Sequence, residues 1–321
     1  MKVLVTGGTG FIGAALSREL ASRGHDVVAL ARHPEDADFA EANIEVVAGD
    51  VTAIDSLREP MEGVDWVVNL VALSPLFKPR GGDQKHFEVH LEGTENVVEA
   101  AEDAGVKRIV QMSALGADPE GTTAYIRSKG EAEAVVRDSS LDWVVFRPSV
   151  IFGDGGEFVS FTKKLAPPYL AVLPGGGKTR FQPIWRGDLV AMLADAATGT
   201  VTGPHAPAAT DEDPHVGRIY ELGGPEVLTM AEVAELAHRA DGRPVTVIPV
   251  PMALAGVGLK TLDVVPGVPM GADQYRSLKF DNTTESTDYE AFGYDHDDLR
   301  TLREYLGLET EREDEPEPVP A

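Results

Sequence analysis

Tyr125-Ile126-Arg127-Ser128-Lys129 holds the two side chains of this 321-residue sequence best suited to moving a proton together. Four residues apart on a helix, Tyr125 and Lys129 share one face. A phenol with an ordinary pKa near ~10 is a poor acid or base at neutral pH. A neighbouring ammonium favours the phenolate and brings the group into a useful range. Ser113 closes the strand-like run that precedes this helix and could donate a hydrogen bond to a substrate carbonyl. Alone, a tyrosine and a lysine at this spacing describe any surface helix; their meaning depends on what surrounds them.

A second constellation supplies that context. Thr6-Gly7-Gly8-Thr9-Gly10-Phe11-Ile12-Gly13 joins the first apolar run to the first helical pattern, with Gly7, Gly10 and Gly13 three residues apart. Such a turn allows close approach of backbone to a pyrophosphate and seats the phosphates at a helix N-terminus. Its place at the start of a strand–helix–strand unit is the context that makes the spacing informative. A dinucleotide is therefore the expected ligand, with Gly7, Thr9, Gly10, Phe11, Ile12 and Gly13 around its phosphates. An oxidised nicotinamide beside Tyr125 would stabilise the phenolate further. The end of the second run, Ala29-Leu30-Ala31-Arg32-His33-Pro34, lacks the acid that pairs with a free ribose diol, and Arg32 stands just beyond it. A guanidinium suits a 2′-phosphate, so NADP(H) is preferred and NAD(H) is the alternative. A solvated surface Arg32 is the plainer reading. Asp50 and Val51 are candidate adenine contacts, and Leu70, Val71 and Ala72 a wall beside the adenosine ribose.

These residues need a scaffold, and the first half of the chain has the pattern for one. Strand-like runs at Lys2–Thr6, Asp26–Ala31, Ile44–Ala48, Trp66–Val71, Arg108–Met112 and Trp143–Phe146 alternate with helical patterns. The helices are expected at Phe11–Arg23, Ile54–Met61, Asp83–Ala104 and Ala124–Asp138. Runs apolar on both faces suit a parallel sheet covered by helices, which gives an α/β fold with a Rossmann-type doubly wound parallel sheet. After Pro148 the texture turns rich in Pro and Gly, with helices at Gly187–Ala197 and Met230–Ala240 and strands at Ile219–Leu222 and Val245–Val250. The expected division is a dinucleotide-binding domain over 1–150 and a mixed region over 151–308 that completes the sheet and forms a smaller, irregular substrate lobe. An acidic, disordered tail is expected over 309–321.

Phrases along nearly the whole chain resemble a short-chain dehydrogenase/reductase of the extended or atypical type. They include Thr6–Gly13, His90-Leu91-Glu92-Gly93-Thr94, Arg147-Pro148-Ser149-Val150-Ile151-Phe152-Gly153 and Tyr220-Glu221-Leu222-Gly223-Gly224-Pro225. The chain is most similar to the branch holding the nucleotide-binding accessory subunit of respiratory complex I, together with bacterial and archaeal proteins described as nucleoside-diphosphate-sugar epimerases. The resemblance implies Tyr125 as acid and base, Lys129 as ribose anchor and modulator, Ser113 as the hydroxyl that polarises substrate, and Pro148, Ser149 and Val150 beside the nicotinamide. It also implies one departure: His90 stands where the family has an asparagine that supports a water relay to the lysine. Two functions follow. One is an NADP(H)-dependent oxidoreductase or epimerase-like enzyme acting on an unidentified small molecule. The other is a nucleotide-holding accessory subunit of a respiratory or quinone-related complex, without turnover.

Other patterns carry less. Gly175-Gly176-Gly177-Lys178-Thr179 lacks the leading glycine of a P-loop, and no helical pattern follows it. His205, His215 and Asp211–Asp213 sit in a Pro/Ala-rich stretch read as a surface insertion, and no metal is expected. Asp295–Asp298 reads as a charged helix start, and the apolar Met252–Leu262 as core in preference to a lipid or partner surface. The apolar runs are too short or too interrupted for a ~20-residue span, and Met1-Lys2 leads straight into Val3-Leu4-Val5 without a targeting pattern. A cytoplasmic protein is expected, with peripheral association at the inner face of a membrane as the accessory-subunit variant.

Composition narrows the solvent and the partners. There is no cysteine, so disulfides, thiolate metal sites and a cysteine nucleophile are all excluded. The formal charge is −25, from 28 basic and 53 acidic residues, and it is spread over both halves of the chain. A nucleic-acid partner needs a basic footprint and is not expected. A distributed acid excess in a chain with 10 Lys against 18 Arg suits a halophilic, high-salt cytoplasm, where salt screens the self-repulsion. A chain so adapted gains thermal stability as KCl rises from millimolar to multimolar; a midpoint indifferent to salt marks an ordinary acidic protein.

Overall fold

A computed structural model describes residues 1–208, 213–250 and 280–308. Strand β1 (Lys2–Thr6) leads through the glycine turn into α1 (Gly13–Ser22), followed by β2 (Asp26–Ala31), β3 (Ile44–Ala48), α2 (Asp55–Met61) and β4 (Trp66–Asn69). A short α3 (Gln84–His86) runs through a π-helical turn (Phe87–Glu92) into α4 (Gly93–Ala104), then β5 (Arg108–Met112), α5 (Ala124–Asp138) and β6 (Asp142–Pro148). The second region contributes β7 (Ile151–Phe152), α6 (Glu157–Leu165), β8 (Tyr169–Pro174), β9 (Arg180–Phe181), β10 (Ile184–Trp185) and α7 (Arg186–Thr198). It closes with β11 (Arg218–Leu222), β12 (Leu228–Thr229), α8 (Met230–Arg239), β13 (Val245–Val250) and α9 (Leu302–Tyr305).

Seven strands form one parallel sheet in the order β3-β2-β1-β4-β5-β6-β11. This is the expected doubly wound arrangement, with the order reversing on either side of β1, and the crevice at such a switch point is where ligands bind. Alternation along the strands sets the two cores. Val3, Val5, Val68 and Val110 pack on Leu16 and Leu20 of α1 and Leu189 and Leu193 of α7. Leu4, Val67, Ile109 and Val145 pack on Leu57, Val97, Ala101 and Val136 of α2, α4 and α5. A third cluster, around Phe158, Leu173, Phe181 and Val233, fills the second region.

Differences from the sequence pattern fall where side chains meet across long separations. Asp83–Ala104 is not one regular helix. The π turn widens it at Phe87–Glu92, and Gly93 lets α4 approach so closely that a Cβ there would meet the Val51 side chain at 2.9 Å. Strand β4 stops at Asn69, whose buried amide accepts from Thr6 Oγ1 at 2.6 Å and donates to Gln111 Oε1 at 2.9 Å and Thr94 Oγ1 at 3.2 Å. His215 does not lie on a surface insertion. Its ring is fully buried, stacked on Phe292 at 4.7 Å, and bonded to the Thr200 carbonyl and the Tyr220 hydroxyl. The carbonyl can only accept, so Nε2 carries the proton and Nδ1 accepts from Tyr220. Asp213 pairs with Arg108, which fixes this stretch to β5. Gly175–Gly177 form a 3₁₀ turn that leads into β9 with no helix after it. Met252–Leu262, Asp211 and Glu212, and the tail over 309–321, lie outside the described residues.

Candidate functional site

The C-terminal ends of the parallel strands open into one cavity of about 710 Å³. Its floor follows the sheet order. Asp50 and Val51 lie beyond β3, Arg32 beyond β2, and Gly7–Gly13 beyond β1. Leu70–Ala72 follow β4, Ser113 follows β5, and Pro148, Ser149 and Val150 follow β6. Tyr125 and Lys129 reach the same cavity from α5. Apart from His90, every residue singled out from the sequence for cofactor or chemistry lines this one space.

At the glycine turn, two positions show why side chains are absent. Gly7 adopts the left-handed conformation (φ +66°), and a Cβ on Gly13 would lie 2.1 Å from the Gly7 carbonyl oxygen. The turn therefore folds onto the start of α1, where the Ala14 and Leu16 amides are taken by the Gly10 and Ile12 carbonyls at 2.9 Å and the preceding turn residues face the cavity. That is a cradle for an anion. Phe11 is held from outside by Arg186, whose guanidinium lies 5.0 Å above its ring and donates to the Asp154 carbonyl at 2.7 Å. Nothing in the sequence points to Arg186, which is 175 residues from Phe11 and carries no local mark.

At the β2–β3 end, burial raises the Asp50 carboxyl, but the Thr52 amide and hydroxyl and the charges of Arg32 and Lys85 outweigh it, holding the group below the usual carboxylate range. Lys85, whose ammonium is paired with Glu88, also lines the cavity and acts on Asp50 together with Arg32. Its position inside a helical pattern offers no motif by which to find it.

At the other end, Lys129 is 1% exposed and donates to the Met112 carbonyl at 2.9 Å. Burial lowers its pKa to about 8, while the Glu133 charge acts in the opposite direction. Burial pushes the Tyr125 phenol up to about 12, so at neutral pH it holds its proton. Ser113 donates its own proton to the Glu133 carboxylate, which is 1% exposed and takes a two-pronged pairing from Arg147 (2.9 and 2.7 Å). The hydroxyl expected to polarise a substrate thus presents lone pairs to the cavity.

His90 does something other than fill the asparagine's place. Leu73 donates its backbone N–H to Nε2 at 2.9 Å, so the protonated Nδ1 donates to Ser128 Oγ at 2.9 Å. Ser128 in turn donates to the Tyr125 carbonyl at 2.9 Å. The ring stands edge-on to Tyr125, with centroids 5.4 Å apart. Burial above all, then the charge of Lys129, keeps His90 neutral. His90 thereby fixes the Leu73–Leu76 segment against the tyrosine helix. Among the described residues, the set able to hold a metal ion is the exposed group of His205, Asp295 and Asp298, remote from these strand ends in sequence and outside the cavity lining.

Comparison with known proteins agrees with this geometry. Residues 7–166 match a family model described as NAD(P)H-binding. Over 292 residues the chain is 32% identical to the chloroplastic divinyl chlorophyllide a 8-vinyl-reductase of Oryza sativa subsp. indica, covering 84% of this chain and 67% of the relative. Over 248 residues it is 28% identical to the mitochondrial NADH dehydrogenase [ubiquinone] 1 alpha subcomplex subunit 9 of Arabidopsis thaliana, covering 73% of this chain and 56% of that protein. The chain thus spans a little over half to two-thirds of these relatives. An NADPH-dependent quinone oxidoreductase of Escherichia coli complexed with NADPH shares the fold, with a TM-score of 0.68 at 21% identity over 95% of this chain and 98% of that one. No helix among the described residues is long and apolar enough to cross a membrane.

His90→Ala removes the acceptor for the Leu73 amide. Hydrogen exchange of that amide should then quicken by an order of magnitude or more (~1.5 kcal/mol for a bond of this kind), with the β1 and β5 amides unaffected. An unchanged Leu73 rate would show that the segment is held by other contacts.

Proposed function

The chain belongs to the NAD(P)-binding short-chain dehydrogenase/reductase family, and from that premise we propose that it is an NADP(H)-dependent oxidoreductase in which Tyr125 gives and takes the proton. The observation that carries this reading is the single cavity in which the glycine turn, Arg32, and the Tyr125–Lys129 pair lie in strand order.

The residues present suit the dinucleotide. Gly7–Gly13 would hold the pyrophosphate. Arg32, with Lys85 near it, would face a 2′-phosphate; Asp50 and Val51 would meet the adenine, and Leu70–Ala72 the adenosine ribose. Lys129 would anchor the other ribose, and Pro148, Ser149 and Val150 would flank the nicotinamide. When bound, that group supplies or accepts hydride, which is two electrons with one proton. The protein must therefore manage the second proton. Tyr125, with its pKa raised by burial, carries it at the phenolic oxygen throughout the neutral range. Positive charge brought beside it, from protonated Lys129 or an oxidised nicotinamide, lowers the cost of the phenolate. His90 and Ser128 hold the helix turn that bears Tyr125. Burial of Lys129 keeps water from competing for its ammonium.

A second reading has its own observation. Ser113 and Lys129 are both satisfied by internal partners, Glu133 and Met112, as in a site that holds nucleotide without turnover. With the Arabidopsis relative, this supports an accessory role in a respiratory or quinone-related complex, at the periphery of a membrane. Tyr125→Phe separates the two. The enzyme should lose about 10²–10⁴-fold in turnover with NADPH affinity intact; full physiological activity in that variant, together with co-purification with a membrane complex, selects the accessory role. For cofactor choice, Arg32→Asp should lower the NADPH/NADH affinity ratio by about 10–100-fold, the scale of one charge-assisted contact. An unaltered ratio removes Arg32 from recognition.

A further inference from the structure

The two ends of the cavity differ in chemistry, and the difference bears on what can occupy the space next to Tyr125. At the β2–β3 end stand Arg32 and Lys85. Around Tyr125 the lining is formed by Leu73, Pro75, Leu76, Val89, Ile151 and Phe158. This wall is packed and not a loose rim. Phe77, next to Leu76, meets Phe161 of α6 edge-on at 5.5 Å, and Phe158 lies 5.7 Å from Phe181. The backbone of Leu73 is pinned by His90.

The polar groups at this end are mostly turned inward. Ser113 donates to Glu133. Ser149 donates to Asn282, whose carbonyl and side-chain oxygens lie 2.8 and 2.7 Å away. Lys129 donates to Met112. Ser74 accepts from the Leu76 amide at 3.3 Å. Among the described residues of the lining near Tyr125, the cations are Lys129, which is bonded to a carbonyl, and Lys85, one turn before Val89 and paired with Glu88; the carboxylate present is that of Glu157. A nucleoside diphosphate carries two anionic phosphates that need guanidinium, ammonium or helix-terminal donors. Placed here, those phosphates would meet aliphatic walls and one negative charge, and would lose their hydration without replacement.

We infer that the substrate is an uncharged, largely apolar carbonyl compound with an acceptor oxygen to meet the Tyr125 hydroxyl, of the quinone or enone class, and not a sugar nucleotide. This rests on the oxidoreductase reading for the role of Tyr125, but the pocket assignment stands on the lining alone. The phenol carries the proton, so an acceptor oxygen on the substrate is what it can match. The apolar remainder accounts for the rest of its surface.

The test is calorimetric titration of the full chain loaded with NADP⁺, which menadione cannot reduce, with menadione and with UDP-glucose as probes and absorbance at 340 nm followed to detect any hydride transfer from the sugar. Menadione should bind in the micromolar range and UDP-glucose should show no binding at millimolar concentration. Leu76→Lys, which places an ammonium in the wall, should weaken menadione at least tenfold, and Leu76→Met should keep it within about threefold. UDP-glucose binding as tightly as menadione, binding of neither probe, or indifference of menadione to Leu76→Lys each overturns the assignment. Menadione binding without NADPH oxidation keeps the apolar pocket and removes the reductase reading, so the two failures are distinct.

Discussion

A buried ammonium constrains the whole Tyr125 end of the cavity. Lys129 is almost inaccessible to water, and a single carbonyl contact does not replace an ammonium's hydration. Glu133, one helical turn along α5, supplies the opposing charge, but a carboxylate 1% exposed needs partners of its own. Arg147 on β6 provides two of them, and Ser113 after β5 a third. Arg147 then pairs with Glu221 on β11, which accepts from Thr284 at 3.0 Å. One buried charge thus dictates polar residues on α5, β5, β6, β11 and the segment after residue 280. Removing a single partner from such a chain leaves a charge uncompensated, at a cost on the order of 3–5 kcal/mol. The network that satisfies this charge therefore includes residues of the second region, on β11 and after residue 280.

Beneath the cofactor end lies a neutral counterpart. Thr6, Asn69, Gln111 and Thr94 form a buried hydrogen-bonded layer across the ends of β1, β4 and β5, and Thr94 donates to the His90 carbonyl at 2.6 Å. Parallel strands alone would tolerate a one-residue slip that exchanges their faces. Side chains that bond to one another across three strands remove that freedom. The glycine turn, the β4 exit and the π turn are consequently fixed relative to one another. That is the precision a dinucleotide site needs.

Much of this was legible from local pattern. The glycine spacing follows from sterics within eight residues, the strand runs from apolar alternation, and the Tyr125–Lys129 pairing from helix geometry. What was not legible depends on partners far away in sequence. Ser113 reads as a donor to substrate until Glu133 is seen to take its proton. His90 reads as a poor substitute for asparagine until Leu73 is found on its ring. His215 reads as an exposed loop histidine until Phe292, Tyr220 and Thr200 close around it. Arg186 has no local signature at all. In each case the residue type was visible and the direction of its hydrogen bond was not, because direction is set by tertiary neighbours.

The charge of −25 acquires a structural meaning beside these contacts. Self-repulsion across an acidic surface disfavours approach of any anion, and a dinucleotide is one. The glycine turn, Arg32 and Lys85, whose ammonium is paired with Glu88, stand along the cofactor part of the cavity, where they offset that background locally. The Tyr125 end receives no such correction: its lysine is engaged with a carbonyl and partly offset by Glu133, and its wall is aliphatic. Positive charge is therefore concentrated along the glycine-turn and Arg32 part of the cavity and is weaker beside Tyr125.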